Sequence, residues 1–203
     1  MATTSKMSIP YPAATDFVKD GATDMQAIAD QVDLRSGLVK IIPTGATNGT
    51  VAANGDVTMN NTITSVTIAN AFSADYYNYL VQVVGGSSSA NNVLTIQVGA
   101  TVTNYYWGIV FNSWNNVTAS LGSTTGTSYN YAGTAHTTGL YMHCDIFQPY
   151  LTENTRFKST WNALLDQGYA NGCLFNTTSY TDLKILVSAG TMSAGIVRIY
   201  GYN

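Results

Sequence analysis

The chain has 203 residues, 45% of them hydrophobic and only 9% charged, with a formal net charge of -3 and a pI near 5.0. That length and apolar content support one sizeable core and exclude a disordered chain. Eight Lys and Arg scattered over the whole length exclude a surface that tracks nucleic-acid phosphates, and no run approaches the roughly 20 apolar residues of a membrane-inserted helix.

The first nineteen residues predict an extended arm, because Pro10 and Pro12 in Ile9-Pro10-Tyr11-Pro12 forbid a helix there. The arm has no apolar leader region, which predicts synthesis and assembly in a cytoplasm. From Asp20 the pattern changes: Met25, Ile28, Ala29 and Val32 fall at i, i+3, i+4 and i+7, one apolar stripe on a helix. Thr23 with Gln26 fits a capping box, Arg35 suits the far end, and Gly37 is a plausible stop, so a helix is expected over about 22–35. A helix this short is marginal in water unless its stripe is covered. Tyr11, Phe17, Met25, Ile28, Ala29 and Val32 are therefore the expected contacts with further copies of the chain or with an anchoring protein. Residues 1–45 form an attachment unit in this reading.

Turn formers crowd Pro43 to Gly49 and Ala53 to Asp56, which predicts a linker over 46–56 and a β-domain over 57–203. Short β-rich runs follow at Ile63–Ile68, Tyr77–Val84, Val93–Val98, Tyr105–Phe111, Leu140–Phe147, Arg156–Leu164, Gly172–Phe175, Leu183–Val187 and Ile196–Tyr202. Gly85 to Asn92 reads as a hairpin loop. Many short strands without alternating helices predict a mainly β fold, an antiparallel β-sandwich or jelly roll.

Charge is unevenly placed along this fold. Nine of the nineteen charged residues lie in the first forty positions, and none lies between Asp75 and Asp145, a span that holds eleven aromatics from Tyr76 to Tyr141. Carboxylates in the β-domain are Asp56, Asp75, Asp145, Asp166, Asp182 and Glu153, the last being the single Glu of the chain. Hydrolysis with two carboxylates in set roles would have to use Glu153 with Asp145 or Asp166. His143 and Asp145 share a strand face, but His136 reads as a loop residue and neither Cys144 nor Cys173 sits in a C-x-x-C, so no metal site is expected. No nucleophile elbow, phosphate loop or dinucleotide fingerprint occurs, and no catalytic residue or cofactor is assigned. Cys144 and Cys173 are expected as buried free thiols in a chain without a leader.

What remains is binding. Tyr105, Tyr106 and Trp114 with Asn112 and Asn115 combine flat apolar rings with amides. That combination suits uncharged polar ligands such as host-surface glycans, and it equally suits a neutral protein interface. Trp107 and Phe111 are expected in the core.

Two stretches carry a family likeness. Ile9 to Gly21 running into Asp24 to Ala29 resembles the start of tailed-phage minor tail and fibre-like proteins, and Val66 to Tyr79 with Gly195 to Gly201 looks like the first and last strands of β-sandwich modules at phage fibre tips and on phage heads. The resemblance implies a virion structural protein, a homotrimer held through residues 1–45 by another virion protein, with its sandwich presented for host attachment. A tail fibre, a head fibre and a capsid decoration protein without receptor binding all remain open, and a glycan depolymerase is the enzymatic alternative.

Overall fold

A computed structural model describes residues 2–3, 10–11, 21, 23, 25–28, 37–115, 117–162 and 166–203. Residues 25–28 are helical, with Met25 70% exposed and Ile28 half-buried. The rest of the expected helix, with Phe17, Ala29 and Val32, lies largely outside the described residues. Tyr11 belongs to a short ladder of β1 (Ala2–Thr3) with β2 (Pro10–Tyr11).

The protein is mainly β and antiparallel, consistent with a β-sandwich. In chain order follow β3 (Val39–Lys40), β4 (Gly45–Thr47), β5 (Gly49–Val51), β6 (Val57–Met59), β7 (Ser65–Ala69), β8 (Asn78–Gly85), β9 (Ser87–Ser88) and β10 (Asn92–Val98). Then come β11 (Tyr105–Ser113), β12 (Thr118–Gly126), β13 (Tyr129–His136), β14 (Gly139–Phe147), β15 (Thr155–Asn162), β16 (Asp166–Leu174), β17 (Leu183–Val187), β18 (Met192–Ser193) and β19 (Ile196–Tyr202). One layer runs β19–β8–β14–β15–β16–β11–β12, the other β13–β10–β17–β7–β4. They join at β14, whose one edge pairs with β8 throughout while the other divides: Leu140 to Met142 pair with β13, and His143 to Phe147 pair with β15.

Strict alternation places the core. Burial alternates residue by residue along β7, β17 and β19, so each of these strands turns one face inward. Val66 and Ile68, Leu183 and Ile185, and Leu94 and Ile96 from one layer meet Tyr79, Val81, Val83, Met142, Ile146, Val197 and Ile199 from the other. Each fully buried aliphatic side chain contributes roughly 1.5–3 kcal/mol.

The expected linker is instead part of the sandwich. Gly45 to Thr47 pair with β7 in one layer and Gly49 to Val51 pair with β6, which in turn pairs with β19 of the other. Asn48, at φ 62°, makes the corner between them and its side-chain amide donates to Ser65 O at 3.0 Å; Asn tolerates this left-handed conformation better than most residues. Turn formers here switch the chain between layers, and the sandwich begins before residue 45. Similarly, the expected loop from Gly85 to Asn92 contains β9, which pairs with β18, and His136 ends β13 instead of lying in a loop. Among the strands of eight or nine residues, β12 and β13 coincide with none of the β-rich runs read from the sequence.

An ion cluster ties β3, β6 and β19 together. Asp56 accepts from Lys40 Nζ at 2.5 Å and from Arg198 Nε at 3.1 Å. The bond from Lys40, opposed by partial burial and aided by Arg198, holds the Asp56 carboxyl below its usual value. A carboxyl depressed in the folded state contributes stability that is fully present above the unfolded pKa of about 4 and is lost as pH falls through the folded value. Replacing Asp56 by Asn should therefore cost on the order of 1 kcal/mol at neutral pH. Urea unfolding should show that difference shrinking as pH falls below about 4; a gap that stayed constant from neutral pH to acid would refute the assignment.

Candidate functional site

Strand β11 turns alternate residues to opposite sides. Tyr105 and Ile109 are buried, Trp107 and Phe111 are partly buried against the core, and Tyr106, Gly108, Val110 and Asn112 face outward. Register carries this outer face across the sheet in rows. One row is Thr118, Asn112, Gln167 and Asn162; the next is Ser120, Val110, Tyr169 and Thr160; then Gly122, Gly108, Asn171 and Lys158; and at the far end Tyr106, Cys173 and Arg156.

Two depressions of about 390 Å³ each lie on this face. The first is lined chiefly by Val110, Asn112, Thr160, Asn162, Gln167 and Tyr169, the second by Tyr106, Gly108, Ser123, Thr124, Asn171 and Cys173. Tyr169 is 66% exposed and Val110 57%, so the first groove has an aromatic wall beside a ladder of three amides. Tyr106 is 39% exposed and meets Phe175 edge to face at 4.5 Å, which fixes its ring at the mouth of the second. Among the described residues, none that lines either groove carries a formal charge. Arg156 and Lys158 stand on β15 at the margin, Lys158 opposite Asp145 in register.

The expected binding residues separate. Asn112 lines the first groove and Tyr106 the second, whereas Trp114 (59% exposed) and Asn115 sit at the β11–β12 turn. The single Ser113 hydroxyl proton is shared between Asn115 Oδ1 and, at 3.2 Å, Val117 O, across that turn. Tyr105 is a correction: it is fully buried, and its hydroxyl oxygen accepts from the Val98 backbone N–H at 2.9 Å. Burial pushes its phenol well above the ordinary range, and the ring belongs to the core.

Tyr169, Gln167, Asn162, Asn171 and Gly108 carry the face but carry no motif. Strand β16 reads as a turn from Asp166 to Asn171 because its core-facing positions are Gly168, Ala170 and Gly172. Those small residues are dictated by what lies beneath. A Cβ at Gly168 would stand 2.4 Å from Val110 O, and one at Gly172 would stand 2.6 Å from the Tyr129 ring. The alternation of Gln167, Tyr169 and Asn171 with small residues is the signal that identifies the strand.

The carboxylates and thiols outside the two grooves are placed as follows among the described residues. Asp145 accepts from the Tyr202 hydroxyl at 3.0 Å, and Glu153 is exposed in the β14–β15 connection; of the Asp166 side chain nothing is described. No metal-binding group of three or more His, Cys, Asp or Glu occurs among the described residues. Cys144 is buried toward the core, whereas Cys173 is half-buried on the outer side of the same layer, so the two are unpaired and only one is the buried thiol expected. Burial pushes each thiol above its usual value.

No protein-family model matches the chain, and no curated protein matches it in sequence. Among solved structures, a family 11 carbohydrate-binding module from Clostridium thermocellum, in complex with a β-1,3-1,4-mixed-linked tetrasaccharide, is 8% identical over 82% of both chains with a TM-score of 0.17. The infectious bursal disease virus VP2 subviral particle is 10% identical over 82% of this chain and 40% of its own, with a TM-score of 0.13. Likenesses this weak leave function to be argued from the chain's own geometry.

Proposed function

We propose that this chain is a structural appendage of a tailed-phage virion, held by the segment that precedes the sandwich, associated as a trimer, and presenting the outer face of β12–β11–β16–β15 to a host surface. The observation that supports it best is the face itself: two neighbouring grooves whose walls are rings, amides and hydroxyls without formal charge. Such a surface is solvated well enough to stay exposed and still offers flat apolar area to a partner. Among the described residues neither groove is lined by a carboxylate, which supports attachment without turnover.

A second reading, a capsid decoration protein, is favoured by Val110, Trp114, Val117 and Leu121, which expose apolar surface around the β11–β12 hairpin and would suit a neighbouring protein. Antibody labelling of purified virions, combined with solution mass, tests the proposal. The expected result is label on the virion and a mass three times the 21.7 kDa protomer. Unlabelled virions would sink the appendage, and a stable monomer would sink the trimer. Host cells that adsorb Trp114→Ala and Tyr169→Ala virions as well as wild type would leave the decoration reading in its place.

A further inference from the structure

We infer that the two depressions form one continuous site for an extended, uncharged oligosaccharide, with Gly108 as the floor where they meet. The inference deepens the attachment reading by naming the ligand class.

Gly108 sits near the middle of β11. Glycine costs stability there, so a reason is needed, and three are available: a left-handed backbone, a close neighbour, or a surface that must stay clear. Gly108 is not among the positive-φ residues. A Cβ added to it would meet nothing nearer than Leu121 O at 3.8 Å, ordinary contact at most. Neither backbone nor packing therefore requires glycine at this exposed position, in contrast to Gly122, whose Cβ would lie 3.0 Å from Trp107 O. The remaining reason is access.

Placement agrees. Gly108 lines the second groove in the row next to Val110–Tyr169 of the first, so a side chain there would stand as a ridge where the two grooves meet. Without it the floor runs unbroken along the strands. The groove centres are about four strand residues apart, roughly 13 Å, which is too far for a single sugar ring to fill both. Each end offers what a pyranose needs. Tyr169 in one groove and Tyr106 in the other present ring surface for C–H faces, and Asn112, Gln167, Asn162 and Asn171 present amides for hydroxyls. The lining lacks formal charge, so a charged ligand would lose its hydration without an ion pair in return. Arg156 and Lys158 at the margin are the groups that an acidic ligand would seek instead.

The full-length protein is tested against immobilised neutral and acidic bacterial surface polysaccharides, then by calorimetric titration with neutral monosaccharide and hexasaccharide fragments of whichever polymer it retains. Gly108→Leu and Tyr169→Ala are compared with wild type and with Tyr77→Ala, which removes an exposed ring outside this face. Retention of a neutral polymer is expected, with the hexasaccharide bound more tightly than the monosaccharide. Gly108→Leu and Tyr169→Ala should each weaken binding by about tenfold or more at unchanged thermal stability, and Tyr77→Ala should not. Retention of acidic polymers alone, no retention of any neutral polymer, equal affinity for the two fragments, or full affinity in Gly108→Leu would each overturn the inference. Virion labelling is read separately, so a labelled virion without glycan binding would remove this site and leave the appendage standing.

Discussion

Truncating Tyr129 to alanine is expected to lower the free energy of unfolding by about 3–5 kcal/mol, the range for deleting a large buried aromatic. Tyr129 is fully buried at the start of β13, where the two layers meet beneath β15 and β16. Its ring stacks on Phe157 at 4.8 Å and 12°, and it fills the hollow that Gly172 leaves on the core side of β16. Its hydroxyl lies 2.8 Å from Ser159 Oγ, which also donates to Tyr131 O at 3.0 Å. Removal therefore loses a stacked pair, opens a cavity that rigid strands on both sides cannot close, and strips one hydrogen-bond partner from a buried hydroxyl. Tyr129→Phe keeps the ring and should cost only about 0.5–1.5 kcal/mol. Urea midpoints at constant slope measure both variants. A Tyr129→Ala loss no larger than that of Tyr129→Phe would mean the site collapses freely and that the ring does not hold the layers together.

Gly168→Ala is the second large effect, and it reaches the binding face through the backbone. A Cβ at this position would lie 2.4 Å from Val110 O and 2.7 Å from Phe111 Cβ, and neither is the far end of a flexible side chain. One of the paired strands must therefore move. Overpacking of this kind costs typically 1–3 kcal/mol, and the displaced residues line the first groove: Gln167 and Tyr169 on either side of Gly168, Phe111 opposite it and Val110 opposite Tyr169. The variant should lose stability and surface binding together, whereas Gly108→Leu should affect binding alone. Thermal unfolding beside polysaccharide retention separates the two, and a Gly168→Ala protein as stable as wild type would show that β16 has room the geometry denies.

The contrast between these glycines also explains how much of the fold was legible in the chain. Leu183–Val187 and Ile196–Tyr202 are short runs rich in β-formers, both are strands, and burial alternates along each. Runs of this kind follow from one buried face, so they are legible without any knowledge of partners. Strand β13 hides because Gly133, whose Cβ would stand 2.3 Å from Tyr141 O, and its small neighbours Ala132 and Ala135 imitate a loop. Strand β12 hides because it ends the sheet with most residues exposed, so no apolar face was selected. Residues 46–56 misled in the opposite sense, since a sheet-switching corner and a linker call for the same turn formers.

For the site, the amino-acid sequence determined the neutrality of one half: the β11 and β12 residues fall in the charge-free, aromatic-rich span, whereas Thr160 to Cys173 lie beyond it. Which residues reach the surface was decided by the tertiary structure. Tyr105 and Tyr106 are adjacent and chemically alike, yet one lies in the core and the other on the face, because a strand sends neighbours to opposite sides and only packing against β13 and β15 says which side is inside. Tyr169 and Asn112 stand 57 positions apart in the chain and come together only through the pairing of β11 with β16. Local sequence sets the period of a strand, and long-range pairing sets its register and its neighbours.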